Sequence, residues 1–161
     1  SSDLAELSAA KLGLTVDYYS ANLALSDDLE GTSFLESNEI QADAARHLVN
    51  ELVRDAGSHG CCLKEEALSL DALLVRLPTS VPIVLVDAST LNASKKPFYG
   101  HFVVVCGYDR EAVIVHDPMK DANGAARKIA KETFESARRA PGTDCDTLFV
   151  SRPNLNALWS V

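Results

Sequence analysis

Apolar residues recur at helical spacing in three parts of the chain. The clearest pattern runs from residue 40 to residue 56, where they return every three or four positions and Gly57 stands at the expected end. A shorter pattern of leucines starts after Ser69, a good N-cap, and stops before Pro78. Residues 3–11 form the third. Each of these patterns predicts an amphipathic helix.

Runs rich in β-branched and aromatic residues predict strands. They cover residues 15–23, 82–87, 101–107, 111–116 and 146–151. Three residues centred on Asp109 separate the third run from the fourth, a length typical of a hairpin. We therefore expect the third and fourth runs to pair as antiparallel neighbours, in one sheet with the second and the fifth.

The order of these elements indicates the fold class. Helical patterns come mostly first and antiparallel strands follow, with one more short helix predicted at residues 132–139 and opened by Lys131 or Thr133. This order favours an α+β fold over a parallel, doubly wound sheet. The chain of 161 residues is long enough for one domain and too short for two comfortable ones, so residues 1–161 are expected to form a single domain.

Composition narrows the class of protein. Hydrophobic residues make up 47% and charged residues 24%, which are ordinary values for a globular domain. The formal net charge of −8 repels phosphate backbones, so we expect no nucleic-acid partner. No apolar run approaches the ~20 residues of a membrane span, and no signal core follows Ser1. We expect a soluble, acidic protein without a secretion signal.

The four cysteines show no metal-binding pattern. Cys61 and Cys62 are adjacent, Cys106 lies inside a valine run, and Cys145 stands between two aspartates. None forms the CxxC spacing of a structural zinc site, and adjacent cysteines rarely bridge each other. We expect four reduced thiols, hence a protein of the cytoplasm or another reducing compartment.

One histidine and one aspartate stand out as candidates for chemistry. His101 opens the predicted third strand, and Asp117 follows the fourth, just before Pro118. If the hairpin turns at Asp109, positions 101 and 117 lie opposite each other, where Cβ atoms are about 5 Å apart. A carboxylate on one imidazole nitrogen fixes the tautomer and leaves the other nitrogen free as a base. A capped strand histidine beside a turn aspartate would give the same spacing.

A longer stretch around this pair resembles a known family. The matching residues are Gly-His-Phe-Val-Val-Val-Cys-Gly-Tyr-Asp at 100–109, His-Asp-Pro at 116–118 and, after a short helix, Gly-Thr-Asp-Cys-Asp at 142–146. The pattern looks like the His/Asp half of the bacteriocin-leader-processing cysteine peptidases. It resembles more closely the guanylyl-cyclase-domain-containing family of animals and plants. Weaker similarity extends over nearly the whole chain.

The resemblance implies a papain-like fold, with N-terminal helices and an antiparallel sheet, in which His101 and Asp117 are the catalytic His/Asp pair. Papain-like sites also use a cysteine nucleophile at a helix N-terminus and a glutamine for the oxyanion. The family carries both in a segment that aligns upstream of Ser1. We therefore expect a relic pair without its nucleophile, since strand alternation points Cys106 away from His101.

Three functions stay open. The leading expectation is a non-catalytic, degenerate or incomplete papain-like domain, which binds a protein partner or the missing N-terminal segment in a larger assembly. The family name implies a second function, a guanylyl cyclase that converts GTP to cyclic GMP. The third is a cysteine peptidase or amidase whose nucleophile lies outside this chain.

Among these functions the cyclase is the one that requires a metal. Cyclising GTP calls for metal-bound carboxylates and for cations on the triphosphate. Asp87 and Asp117 offer the carboxylates, and Lys95 and Lys96 offer the cations. The sequence has no Gly-rich phosphate-binding loop. We expect no cofactor and no metal, with Mg²⁺ or Mn²⁺ and GTP needed only if the cyclase function holds.

Overall fold

A computed structural model describes most of the second half of the chain and parts of the first. The described residues are 12–23, 51, 54–57, 61–119 and 124–152. The helix predicted at residues 3–11 lies outside them. Of the helix predicted at 40–56, only Glu51 and residues 54–56 are described, and these are helical. No helix in the described part of the chain is long and apolar enough to cross a membrane.

Seven strands of the described chain form one sheet, and all neighbouring strands but one pair run antiparallel. The strands are β1 (Thr15–Ser20), β2 (Cys62–Glu65), β3 (Val81–Asp87), β4 (Gly100–Tyr108), β5 (Ala112–His116), β6 (Arg127–Ala130) and β7 (Thr147–Ser151). Their order across the sheet is β2-β1-β7-β3-β4-β5-β6, and β1 with β2 is the parallel pair. The α+β class and the predicted strands β3, β4, β5 and β7 are confirmed.

Three short helices whose bounds both lie in the described part of the chain accompany the sheet: α1 (Leu70–Leu74), α2 (Ala88–Leu91) and α3 (Lys131–Arg138). Ser69 caps α1 as predicted, since its hydroxyl accepts a hydrogen bond from the amide of Ala72. The helix α3 begins one residue earlier than predicted and follows Ala130, which makes no side-chain cap. The sequence pattern missed α2, whose four residues are too few to show a helical period.

The larger core cluster lies on one face of the sheet, where strand alternation directs the valines, and a second cluster of Val16, Tyr18, Ala56, Cys61 and Leu148 forms around β1 and β7. Along β3, β4 and β5 every second residue is buried, while the residues between them are partly or largely exposed. Phe134 and Ala137 of α3 pack against this face and are fully buried. Fully burying a valine or phenylalanine side chain contributes roughly 1.5–3 kcal/mol. The valine stripe therefore fixes which residues of β4 and β5 point inward.

The hairpin between β4 and β5 forms, but its predicted register is wrong. The connection comprises residues 109–111, and the turn is centred between Arg110 and Glu111 instead of on Asp109. The amide of Asp109 donates to the carbonyl of Ala112, and its carboxylate accepts the amides of Glu111 and Ala112. A bulge between Val105 and Gly107 shifts the pairing once more, so that Val104 lies opposite His116. Extending this register puts Asp117 level with residue 103 instead of 101. Neither the displaced turn nor the single-residue bulge is visible in a pattern of apolar residues.

A tight turn carries the chain from α3 into β7 and also supports the loop before β4. Gly142 has a φ of +92°, and a Cβ there would lie 3.2 Å from the ring of Phe98. The next residue, Thr143, is buried and donates its hydroxyl hydrogen bonds to the carbonyls at the end of α3. The turn at 142–143 thus links α3, β7 and the Phe98 loop.

Replacing Gly142 by alanine should destabilise the protein by about 1–2 kcal/mol, because a side chain at this positive φ is strained and meets the Phe98 ring. The free energy of unfolding from urea titration measures the effect. Gly57→Ala is the matched control: no atom lies within 4 Å of its added Cβ, and its φ is not positive. The control should stay within about 0.5 kcal/mol of the parent or be slightly more stable. Equal stability of the two variants would contradict the strain argument.

Candidate active site

His101 and Asp117 form a buried pair at one edge of the sheet. The Nε2 atom of His101 lies 2.7 Å from Oδ1 of Asp117, and their side chains are 8% and 1% exposed. Given the register of β4 and β5, the two residues are diagonal neighbours on the same face, which is within the reach of an imidazole and a carboxylate. The predicted contact is therefore confirmed, although the residues are not directly opposite each other.

Asp117 is held by three further groups. The amide of Met119 donates to Oδ1 at 3.0 Å, and the guanidinium of Arg127 lies 3.3 Å from Oδ2. Its own amide donates to the carbonyl of Gly124, which anchors the backbone. Burial raises the pKa of Asp117, but the hydrogen bond from His101, the Met119 amide and the charge of Arg127 outweigh it, so the pKa lies below its usual value. Asp117 is ionised at neutral pH.

The ionised carboxylate determines which nitrogen of His101 carries the proton. A carboxylate can only accept, so Nε2 of the neutral imidazole must be the donor. The other nitrogen, Nδ1, then holds a lone pair, and no described residue donates a hydrogen bond to it. An imidazole oriented in this way can remove a proton from a hydroxyl or a thiol.

A cleft of about 590 Å³ opens beside the pair. One wall comes from α2 and the loop that follows it, including Ser89 and Lys96, and His101 and Asp117 lie on the other side. Phe98, Tyr99 and Met119 also line the cleft and are about half exposed. The cleft thus combines an apolar, aromatic rim with one cation and the imidazole, a mixture typical of small-ligand sites.

Asp87 has a structural task next to this cleft. It caps α2, since its carboxylate accepts the amides of Ser89 and Thr90 and the Thr90 hydroxyl, and it also accepts the amide of Tyr99 at 2.9 Å. Burial raises the pKa of Asp87, but these four hydrogen bonds outweigh it and the pKa is lowered. Asp87 therefore ties the cleft wall to the end of β3.

The carboxylates present do not fit a metal site of the kind a nucleotide cyclase needs. Asp87 is saturated by four donors, and Asp117 by His101, Met119 and Arg127. Within the described residues no group of three or more His, Cys, Asp or Glu side chains is arranged to hold a metal ion. Binding Mg²⁺ or Mn²⁺ here would require breaking bonds that hold α2 or His101 in place.

No cysteine lines the cleft. Cys62 is on β2, four strands away from β4 in the sheet order, or about 19 Å. Cys106 is exposed and points away from the buried face that holds His101. Cys61 and Cys145 are buried, with Cys145 in the turn before β7, two strands from β4. The expectation that none of them replaces a nucleophile at His101 agrees with these positions.

Sequence reasoning placed His101 and Asp117 but missed Arg127 as their neighbour. Arg127 opens β6, ten positions after Asp117, and no motif marks it. Of the two loop lysines, Lys96 lines the cleft. His116 is exposed on the other face, where its Nδ1 accepts the amide of Ala126.

The chain belongs to a family described as guanylylate cyclase, whose pattern matches residues 2–150. It is also similar to a protein named guanylyl cyclase 1 from Arabidopsis thaliana, at 26% identity over an alignment that covers 95% of this chain and 65% of the relative. The chain thus spans less than two thirds of that relative's length. No solved structure matches the chain. The family resemblance of the 100–150 region is confirmed.

Replacing Asp87 by alanine should cost about 1 kcal/mol or more of stability at pH 7, because α2 loses its cap. Asp87 has a lowered pKa in the folded protein, so its contribution is fully present above the unfolded value of about 3.9 and is lost as pH falls through the lower, folded value. Urea unfolding from pH 7 to pH 3 should therefore show the parent and the variant converging at acid pH. A constant difference over that range would contradict the charge-dependent cap.

Proposed function

We propose that this domain carries the general-base half of an active site. His101 accepts a proton through Nδ1, Asp117 orients it, and the cleft beside them binds the reactant. All four cysteines lie among the described residues and none lines the cleft, so a thiol nucleophile comes from another chain or segment, and the 161-residue chain binds ligand but does not turn it over. In this sense the domain is an incomplete site that works with a partner chain or with a further segment of its own protein.

One observation carries the proposal: Nε2 of His101 lies 2.7 Å from a buried carboxylate at the wall of a cleft. Because that carboxylate is ionised, the neutral imidazole presents an unprotonated Nδ1. Fixing the tautomer of a histidine in this way is how an aspartate assists a catalytic base. A histidine that served packing alone would gain nothing from a free nitrogen beside a cleft.

The finer fold assignment is part of the same proposal. In a papain-like arrangement a histidine on one strand and a carboxylate or amide after the next face a cysteine on a helix outside the sheet. The mostly antiparallel sheet and the His101–Asp117 pair are compatible with this arrangement, and the resemblance to cysteine peptidases supports it. The reaction would then be acyl transfer by a thiol whose proton His101 accepts.

The state of His101 tests the base itself. In ¹⁵N NMR spectra above pH 7, the parent should show the proton on Nε2 and a bare Nδ1. Asp117→Asn should invert or mix the tautomers, because the amide can donate as well as accept. Asp71→Asn is the control, since Asp71 is an exposed carboxylate in the first turn of α1, away from the β4–β5 hairpin. A parent with the proton on Nδ1 would contradict the proposal.

Thiol labelling tests the absence of a nucleophile at the site. Iodoacetamide should label the exposed Cys62 and Cys106, and His101→Ala should leave both rates unchanged, because neither thiol lies in the cleft. The same preparations should not hydrolyse activated thioesters or peptide amides. A labelling rate that falls about tenfold or more in His101→Ala would reveal a thiol activated by this histidine. The domain would then carry a complete peptidase-like site, and the proposal of an incomplete site would be wrong.

Cyclisation of GTP is the second candidate. It is favoured by the family and by the name of the similar Arabidopsis thaliana protein, guanylyl cyclase 1. Its nucleophile is the ribose 3′-hydroxyl of the substrate, which attacks the α-phosphorus as pyrophosphate leaves. The protein then needs to supply a base but no thiol, and His101 offers one. Lys96 in the cleft offers one cation for a phosphate. The saturated state of Asp87 and Asp117 stands against a metal-dependent cyclase at this site.

Mass spectrometry of cyclic GMP distinguishes this candidate. The purified chain with GTP and Mn²⁺ should form no more product than a heat-treated sample, because hydrogen bonds already engage Asp87 and Asp117, the carboxylates proposed for the metal. Arg110→Gln, which changes an exposed residue of the hairpin turn, is the control. If cyclic GMP forms with the parent and the control but not with His101→Ala, the cyclase function is correct and the proposal of an incomplete site is wrong.

A further inference from the structure

Arg127 connects the His101–Asp117 pair with the wall of the cleft. One nitrogen of its guanidinium lies 3.3 Å from Oδ2 of Asp117, and the other donates to the carbonyl of Leu91 at 3.3 Å. Leu91 is the last residue of α2, so its carbonyl has no partner within the helix. The Arg127 side chain is 25% exposed, while Asp117 beneath it is 1% exposed. One side chain therefore bridges β6, the end of β5 and α2.

This bridge acts on the second oxygen of Asp117. The hydrogen bonds of His101 and Met119 restrain the carboxylate through Oδ1, and Arg127 adds a second anchor through Oδ2 against rotation about the same bond. The fixed fork of a guanidinium holds Oδ2 in one direction and favours the ionised form. Both effects keep Oδ1 pointed at His101.

We propose that Arg127 is a positioning residue, which fixes Asp117 against His101 and couples that pair to α2, the wall of the cleft. Its meaning for catalysis rests on the proposed function. The structural coupling does not depend on the proposed function, because it is a property of the unliganded protein and is measured without any reaction.

Among the residues that the structure describes, the other charged groups around the pair do not provide this bridge. On β6, the neighbouring Lys128 reaches the hairpin turn and pairs with Asp109. In α3, Glu135 pairs with Arg138 and Arg139. At the cleft wall, Asp87 caps α2 and Lys96 lines the opening, and neither has a hydrogen bond to Asp117. Across β5, His116 lies on the other face.

The test compares Arg127→Gln, which removes the charge and shortens the fork, with Arg127→Lys, which keeps the charge but cannot hold two acceptors in one plane. Arg110→Gln removes an exposed arginine of the hairpin turn and is the control. The ¹³C signal of the Asp117 carboxyl gives its titration midpoint. Amide hydrogen exchange of Asn92, which bonds to Ala88 in α2, reports on the cleft wall.

In the parent the Asp117 pKa is below its usual value, and Arg127→Gln should shift the midpoint upward relative to the control, because a neighbouring cation is lost. Arg127→Lys should keep most of the low midpoint. Both variants should exchange the Asn92 amide about three- to tenfold faster, since the bond to Leu91 is lost or loosened. The control should match the parent in both measurements.

Each contrary result overturns one part of the inference. An Asp117 midpoint in Arg127→Gln equal to that of the control would show that Arg127 does not act on the carboxylate. Exchange at Asn92 that stays at the parent rate in both variants would show that α2 is not coupled through the bridge. If Arg127→Gln does not fold, Arg127→Lys decides alone: accelerated exchange with a low midpoint supports the bridge, and parental exchange refutes it.

Discussion

The register of β4 between its two neighbours is the constraint on which the site depends. On one side His101 lies opposite Val86 of β3, and on the other side β4 pairs with β5 through a bulge. Side chains alternate along a strand, so a slip of one residue would move His101 to the other face. Burial of Val103 and Val105 beneath α3 opposes such a slip. Hydrophobic packing of valines thus sets the direction of a buried polar side chain.

The antiparallel arrangement of β3, β4 and β5 explains why two carboxylates and a histidine lie together at one end of these strands. The end of β3, the start of β4 and the end of β5 lie together there because the chain reverses twice. Asp87 ends β3, and its carboxylate accepts four hydrogen bonds from nearby residues, so its role is structural. Asp117 follows the last strand and has donors that include a titratable imidazole. The two carboxylates are chemically alike. The hydrogen-bond donors around each one distinguish the helix cap, Asp87, from the candidate active-site residue, Asp117.

Local patterns predicted those parts of the structure that local physics determines. The capped α1 and the apolar strands β3 and β4 follow from spacing and composition, and so does the proximity of His101 to Asp117. The register did not follow, because the Asp109 turn and the bulge near Cys106 each depend on single side-chain and backbone bonds. Arg127 also escaped prediction, since an arginine that opens an edge strand looks like any solvated residue until the fold brings it to Asp117. The parallel pairing of β1 with β2 is likewise a non-local property.

Stability alone does not explain a buried histidine and aspartate. Removing two polar groups from water costs free energy that their mutual bond repays only in part, and apolar residues of similar volume are often as stable or more so. The neighbouring positions on this face, Val86 and Val103, show what packing alone selects. What the pair offers beyond packing is a fixed tautomer, an unprotonated Nδ1 and a charge that Arg127 holds in place. Such properties have a use where a proton must be accepted beside a cleft, which is why we place the chemistry of this domain at His101.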